Sequence, residues 1–192
     1  MKVELLDLTE ESETLIADSA RVCYQSKAKD SKSNVKLLEH LRTLGHLSTF
    51  EHAKATFKIS GISRACSHQL VRHRHFSFSQ MSQRYVDEKG FEYVTPPEVE
   101  GNAEAKKDFD SQVELARSAY EKLVDSGIRK EDARFLLPNA VATELIVTAN
   151  FRSLREFIQL RTTKAAQWEI KNLAKEMLAI LKEKAPTAFG DL

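Results

Sequence analysis

The chain has only two cysteines, Cys23 and Cys66, in 192 residues. Two thiols make no disulfide framework, and neither lies in a CxxC pair. Both fall in apolar-periodic stretches and are expected to be buried, reduced core residues. Glycine is also scarce: with 6 in the whole chain and no GxGxxG, P-loop or GxSxG sequence, a glycine-built phosphate turn or a nucleophile elbow is excluded. HExxH is absent too, so a zinc site of that kind has no ligands. No apolar run approaches the ~20 residues of a membrane span. The first residues, MKVELLDLTEESE, lack the cationic and apolar regions of a signal peptide. A soluble, cytoplasmic protein with no membrane partner is expected. An excess of charge is missing as well: 29 Lys+Arg against 28 Asp+Glu give a formal net charge of +1. A protein coated in positive charge to hold nucleic acid is thereby excluded.

What the chain does have is one concentrated cationic segment, RHRHFSFSQMSQRY (72–85). It holds three arginines, two histidines, three serines and two phenylalanines, and no carboxylate. Arginine suits phosphate because its planar fork donates two parallel hydrogen bonds and stays charged at any working pH. Arg72, Arg74 and Arg84, set among Ser77, Ser79 and Ser82, therefore suggest an anion-binding loop, with pairing to Glu51 or Glu144 as the alternative. Arg134 in DARFLLP and Arg161 after SLREFIQL, each taken alone, are more often paired or snorkelling helix residues, but together with the loop they suggest a convergent anion pocket. His73 and His75 alternate, but the guanidiniums around them repel a divalent cation, so no metal is expected. Basic residues interleaved with aromatics could also stack on single-stranded nucleic acid. The near-zero net charge and the lack of a second basic stripe weigh against that.

The periodicities predict an α+β fold, a small mixed sheet flanked by helices in a single domain spanning residues 1–192. A strand is expected at 2–8. Thr9 should cap a helix over 10–25 that packs through Leu15, Ile16, Ser19, Val22 and Cys23. A helix over about 33–44 should end at Gly45. KATFKISGI reads as a strand, 62–72 as a helix, and the cationic segment as an ordered loop. FEYVTPP reads as a short strand. Asn102 should cap a long helix to Ser126, closed by Gly127, and 95–102 reads as a loop. KEDARFLLP reads as a short helix, TELIVTANF as a strand, and SLREFIQLR as a helix. The stripe Ile170, Leu173, Ala174, Met177, Leu178 and Leu181 marks a last helix over about 166–184.

The segment 72–84 reads RHRxxSxxxxSxR, six fixed positions in thirteen. It resembles the signature of flavin-dependent thymidylate synthases. GHLSTFEH (45–52) is similar to the family's GHxSPFEH, with Thr49 in place of proline. Gln69 in SHQLVRHR, DARFLLPNA, NFRSLREFIQLR and QWEI extend the resemblance over most of the chain. Glu156 stands where the family often has His or Asn, and Ala165 where a histidine is common. The resemblance implies methylation of dUMP to dTMP, with tightly bound FAD, NADPH as reductant and methylenetetrahydrofolate as carbon donor. It also implies a homotetramer with active sites between subunits. By position it implies flavin contacts from Ser48, Arg72, His73, Arg74, Gln80, Asn150, Arg152 and Glu156. Nucleotide contacts are implied from Gln69, Arg72, Gln80, Ser82, Gln83, Arg84, Arg134 and Arg161, with Arg161 as the catalytic residue that stabilises charge on the pyrimidine. A catalytically weakened relative that still binds nucleotide, and a nucleic-acid binder, are the alternatives.

Overall fold

The computed structural model describes residues 1–28 and 30–192. The fold is α+β. Strands β1 (Lys2–Leu8), β2 (Lys54–Ser63), β3 (Ser77–Gln80) and β4 (Ala142–Asn150) form one sheet in the order β1-β2-β4-β3. The sheet is antiparallel, where a mixed sheet was expected. Between β2 and β4, Phe151 N donates to Ala53 O while the Thr56 and Thr148 hydroxyls meet at 2.9 Å, so residue numbers fall on one strand as they rise on the other. Neighbouring strands are joined by long returns that carry the helices, and an antiparallel sheet requires no parallel crossover. Gly61 on β2 has φ +68, and a Cβ there would lie 3.3 Å from the Met1 backbone nitrogen. Only glycine allows both the conformation and the approach.

Two compact units divide the chain. One comprises Lys2–Ile59, Leu70–Phe78 and Ile146–Leu192. Its helices are α1 (Ser12–Val22), α2 (Ser31–Thr43), α7 (Phe151–Arg161), α8 (Trp168–Lys184) and α9 (Pro186–Phe189), with a 3-10 turn at Ser48–His52. Its core holds five fully buried phenylalanines, Phe50, Phe57, Phe151, Phe157 and Phe189. Each contributes about 1.5–3 kcal/mol by leaving water. The expected stripe on α8 is buried at Ile170, Leu173, Ala174, Met177 and Leu181.

The α1 expectation was wrong in two ways. Thr9 does not cap the helix; its hydroxyl accepts from Lys54 N at 3.0 Å at the end of β1. The buried face is Ile16, Ala17, Ala20 and Arg21, so Val22 and Cys23 turn outward and Cys23 is exposed. Cap positions compete with strand edges for the same short hydroxyl side chain, and the strand won.

The other unit comprises Met1, Ser60–Gln69 and Ser79–Leu145. Helix α3 (Arg64–Leu70) begins here, followed by α4 (Pro97–Glu100), α5 (Ala103–Asp125), α6 (Lys130–Ala133) and a 3-10 turn at Arg134–Leu136. Asn102 caps α5 through Glu104 N and Ala105 N, and Gly127 closes it with φ +89. Phe91, Val113 and Val141 form a small core with Tyr93, Phe109 and Leu137 against it. The expected strand in FEYVTPP is a single antiparallel bridge, Tyr93 to Val141. The two prolines after it block further pairing. Residues 95–102 hold the short helix α4 where a loop was expected, with Pro at its start.

Candidate active site

The cationic segment begins as α3 ends. His73 N donates to Leu70 O at 3.1 Å and Phe76 N donates to His73 O at 3.0 Å. These successive tight turns carry the His73 and Phe76 rings inward and leave the residues around them outside. Arg72, Arg74 and His75 are exposed, while His73 is half-buried and Phe76 is buried. Neither Arg72 nor Arg74 makes a hydrogen bond or ion pair among the described residues. The segment then enters strand β3, which the sequence reading missed because serine and glutamine masked a four-residue alternation.

His73 packs edge-on against Phe157 of α7, ring centres 4.9 Å apart, and lies 5.6 Å from Phe76. Arg161, in the last turn of α7 and half-buried, donates from Nε to His73 Nε2 at 3.1 Å. Burial, and secondly the Arg161 charge, hold the His73 pKa below the ordinary histidine value. The sequence placed these two residues in separate roles; the structure brings them into contact.

In the same unit, Glu51, His75, Asn150, Arg152, Ser153 and Glu156 line a polar cavity of about 250 Å³. Asn150 ends β4 and caps α7 by accepting from Ser153 N at 2.9 Å. Arg152 donates from Nη1 to Glu51 at 2.7 Å and from Nε to Glu156 at 3.1 Å. Both carboxylates raise its pKa, Glu51 first. Glu51, one of the two glutamates that the sequence offered as partners for the signature arginines, is thus a partner of Arg152. Ser48, exposed on the 3-10 turn, is not among the cavity's lining residues.

In the other unit, Arg84 and Arg134 converge on one residue. Arg84 Nε lies 2.6 Å from Glu131 Oε2, and Arg134 Nε donates to the Glu131 carbonyl at 3.1 Å. The expectation that the signature arginines lack a carboxylate partner is therefore corrected for Arg84. No local spacing signals this pair, because Glu131 stands 47 residues from Arg84 and its i,i+3 neighbour Arg134 meets its backbone carbonyl instead. Ser82 Oγ accepts from Arg84 N at 3.3 Å, and Gln83 beside it is half-buried. Glu88 is buried, and burial raises its pKa against the lowering effect of Arg64 and Gln83. Arg64 donates to Met81 O at 2.8 Å and lies 3.7 Å from Glu88. Gln80 donates to the Ser67 and Thr143 hydroxyls at 3.0 and 3.3 Å. Gln69 is half-buried on α3. Arg64 and Glu88 were not identified from sequence, since an arginine and a glutamate far apart in the chain carry no spacing signal.

Of the two cysteines, Cys66 is fully buried with its backbone N–H donating to Ser63 Oγ at 3.0 Å. Among the described residues no group of three or more His, Cys, Asp or Glu side chains could hold a metal ion. Among them also no helix is long and apolar enough to cross a membrane.

An α+β fold that exposes guanidiniums without carboxylate partners, on a loop held by tight turns, presents groups suited to anionic ligands. The family follows from comparison with known proteins. A family model described as thymidylate synthase complementing protein matches residues 4–187. The chain is 48% identical over 200 residues to a flavin-dependent thymidylate synthase of Geobacter sulfurreducens, covering 100% of this chain and 86% of that protein. It is 40% identical to one from Clostridium tetani, covering 98% and 85%, and 40% identical to one from Mycobacterium tuberculosis, covering 92% and 78%. The chain belongs to the flavin-dependent thymidylate synthase family and is an enzyme.

Proposed function

We propose that the protein converts dUMP to dTMP using tightly bound FAD, methylenetetrahydrofolate as carbon donor and NADPH as reductant. The observation that carries this reading is the pair Arg72 and Arg74, exposed and unpaired among the described residues, within the family's signature. Guanidiniums left without carboxylates fit a dinucleotide diphosphate, which supplies the missing charge. His75, Asn150, Arg152 and Glu156 around the polar cavity fit the same cofactor's polar groups. When bound, FAD would supply the carbon and hydride transfer that side chains cannot perform.

The remaining steps belong to the chain's own residues. Ser82, Arg84 and Arg134 hold the dUMP phosphate, with Glu131 as the carboxylate that the phosphate displaces from Arg84. Gln69, Gln80 and Gln83 supply amide groups to the sugar and base. Arg161 stabilises the negative charge that develops on the pyrimidine N3 and O4 as C5 attacks the one-carbon unit. Neither thiol takes part: Cys66 is fully buried, and Cys23 is the exposed C-cap of α1. The family resemblance further supports a cytoplasmic homotetramer with active sites between subunits.

The test is to record the visible spectrum of the purified protein and then titrate dUMP. Flavin bands that shift on adding dUMP, with dTMP formed when folate and NADPH follow, are expected. A colourless protein that takes up no added FAD would overturn the proposal and favour a nucleotide-binding relative.

A further inference from the structure

We propose that His73 is a positioning residue for Arg161: its imidazole accepts the Arg161 Nε–H and thereby fixes the plane of the guanidinium brought to the pyrimidine. The proposal rests on the reading of Arg161 as the residue that meets the base. The resemblance assigns His73 to the flavin alone, but the geometry gives it a different neighbour.

Three observations converge. The backbone bonds from His73 N to Leu70 O and from Phe76 N to His73 O turn the ring away from the exposed side of Arg72 and Arg74. The ring is then held between Phe76 and the edge of Phe157, so it cannot rotate without disturbing two aromatic contacts. At the open edge stands Arg161 Nε, 3.1 Å from His73 Nε2.

Chemistry then fixes the protonation state. A guanidinium has five N–H groups and no acceptor, so Arg161 is the donor. His73 Nε2 must carry a lone pair, and the ring proton sits on Nδ1. Arg161 from α7 is the one charged group acting on the ring among the described residues; Phe76 and Phe157 carry no charge, and Arg72, Arg74 and His75 of its own loop are exposed. Burial and the Arg161 charge lower the histidine's pKa, so the contact persists below the pH at which an ordinary histidine would charge. Once the ring is protonated, Nε2 has no lone pair and two cations face each other. The contact is lost in acid, and the guanidinium loses its fixed plane.

The test combines ¹⁵N NMR of the His73 imidazole in the whole enzyme with three variants. The wild type should show a protonated Nδ1 and a bare Nε2 at neutral pH. His73→Phe keeps the ring packing and removes the acceptor; kcat should fall about ten- to a hundredfold, the range for a lost bond to a charged group. Its flavin content, read from the visible absorbance, should stay within about twofold of wild type, since Arg72 and Arg74 are untouched. His73→Gln offers an acceptor that does not titrate, and should recover part of kcat while losing the acid limb of the pH profile. An Nε2-protonated ring, wild-type kcat in His73→Phe, or flavin lost in step with activity in both variants would each overturn the proposal. Should His73→Phe fail to fold, the NMR tautomer decides alone. Arg161→Ala separates the two readings. Full turnover in that variant sinks the role of Arg161 itself, whereas an inactive Arg161→Ala beside an undisturbed His73→Phe sinks only the positioning.

Discussion

Replacing Asp191 by alanine should destabilise the enzyme by an amount set by a clamp on α7. Arg155, on the same helix as Arg152 and Arg161, is buried with 3% of its side chain exposed. Its Nη1 and Nη2 donate to Asp191 at 2.8 and 2.6 Å, and Nη1 also donates to the Ala188 carbonyl. Arg42 from α2 approaches Asp191 to 3.2 Å and donates to Thr187 O. One aspartate thus ties α2, α7 and the segment after α8 together. Removing one partner of a buried pair costs about 3–5 kcal/mol, because the other charge is left uncompensated. An exposed pair contributes less than about 1 kcal/mol. Asp191 is 37% exposed, so solvent screens part of the loss. The expectation between these limits is about 2 kcal/mol. For a chain of this size that is a fall in Tm of about 4–8 °C.

The pH dependence gives the sharper check. The hydrogen bonds from Arg155 hold the Asp191 carboxyl below its ordinary pKa, opposed by burial and helped by the charges of Arg155 and Arg42. A carboxylate lowered on folding contributes stability that is complete above its unfolded-state pKa and disappears as the pH falls through the folded one. Thermal melts of wild type and Asp191→Ala should therefore differ fully at pH 7 and converge in acid, below the usual aspartate range. Equal Tm values at pH 7, or a gap that widens in acid, would refute the clamp.

Two other expectations are simpler. Cys23→Ser and Cys66→Ser should both retain turnover, measured as dTMP formed; inactivity of either variant with its flavin and fold intact would reopen cysteine catalysis. Glu131→Gln should tighten dUMP binding by a few-fold at most, since the pair it breaks is half-open to solvent, with an exposed Arg84, and is worth about 1 kcal/mol. Weaker binding in a calorimetric titration would mean that Glu131 orients Arg84 instead of competing with the phosphate.

Most elements were legible because their signals are local. The α8 stripe, the Asn102 cap and the glycines after α2 and α5 each depend on residues within one or two turns. The errors have a different origin. Thr9 had two possible partners, a helix start and a strand neighbour 45 residues away, and nothing local decides between them. The face of α1 slipped because Leu15 and Val22 lie about one position from the buried Ile16 and Arg21. Arg21 joins that face through its aliphatic stem while its guanidinium reaches Asp18 and Ser33. Strand β3 was hidden because only Phe78 and Gln80 of its four residues turn partly inward.

The arginines separate what sequence can and cannot tell about a site. Composition marked Arg72, Arg74, Arg84, Arg134 and Arg161 as alike, and their chemistry is alike. Their partners are not. Arg84 and Arg134 share Glu131, Arg152 is held between Glu51 and Glu156, and Arg161 leans on His73. Only Arg72 and Arg74 of this set stand without a partner among the described residues. A guanidinium paired with a carboxylate, as Arg84 and Arg152 are, must give up that partner before it meets an anion, while an unpaired one loses only water. Ligand charge should therefore be felt first at Arg72 and Arg74. Substitutions there should alter anion affinity and its salt dependence more than those at Arg84, whose Glu131 contact already offsets part of its charge.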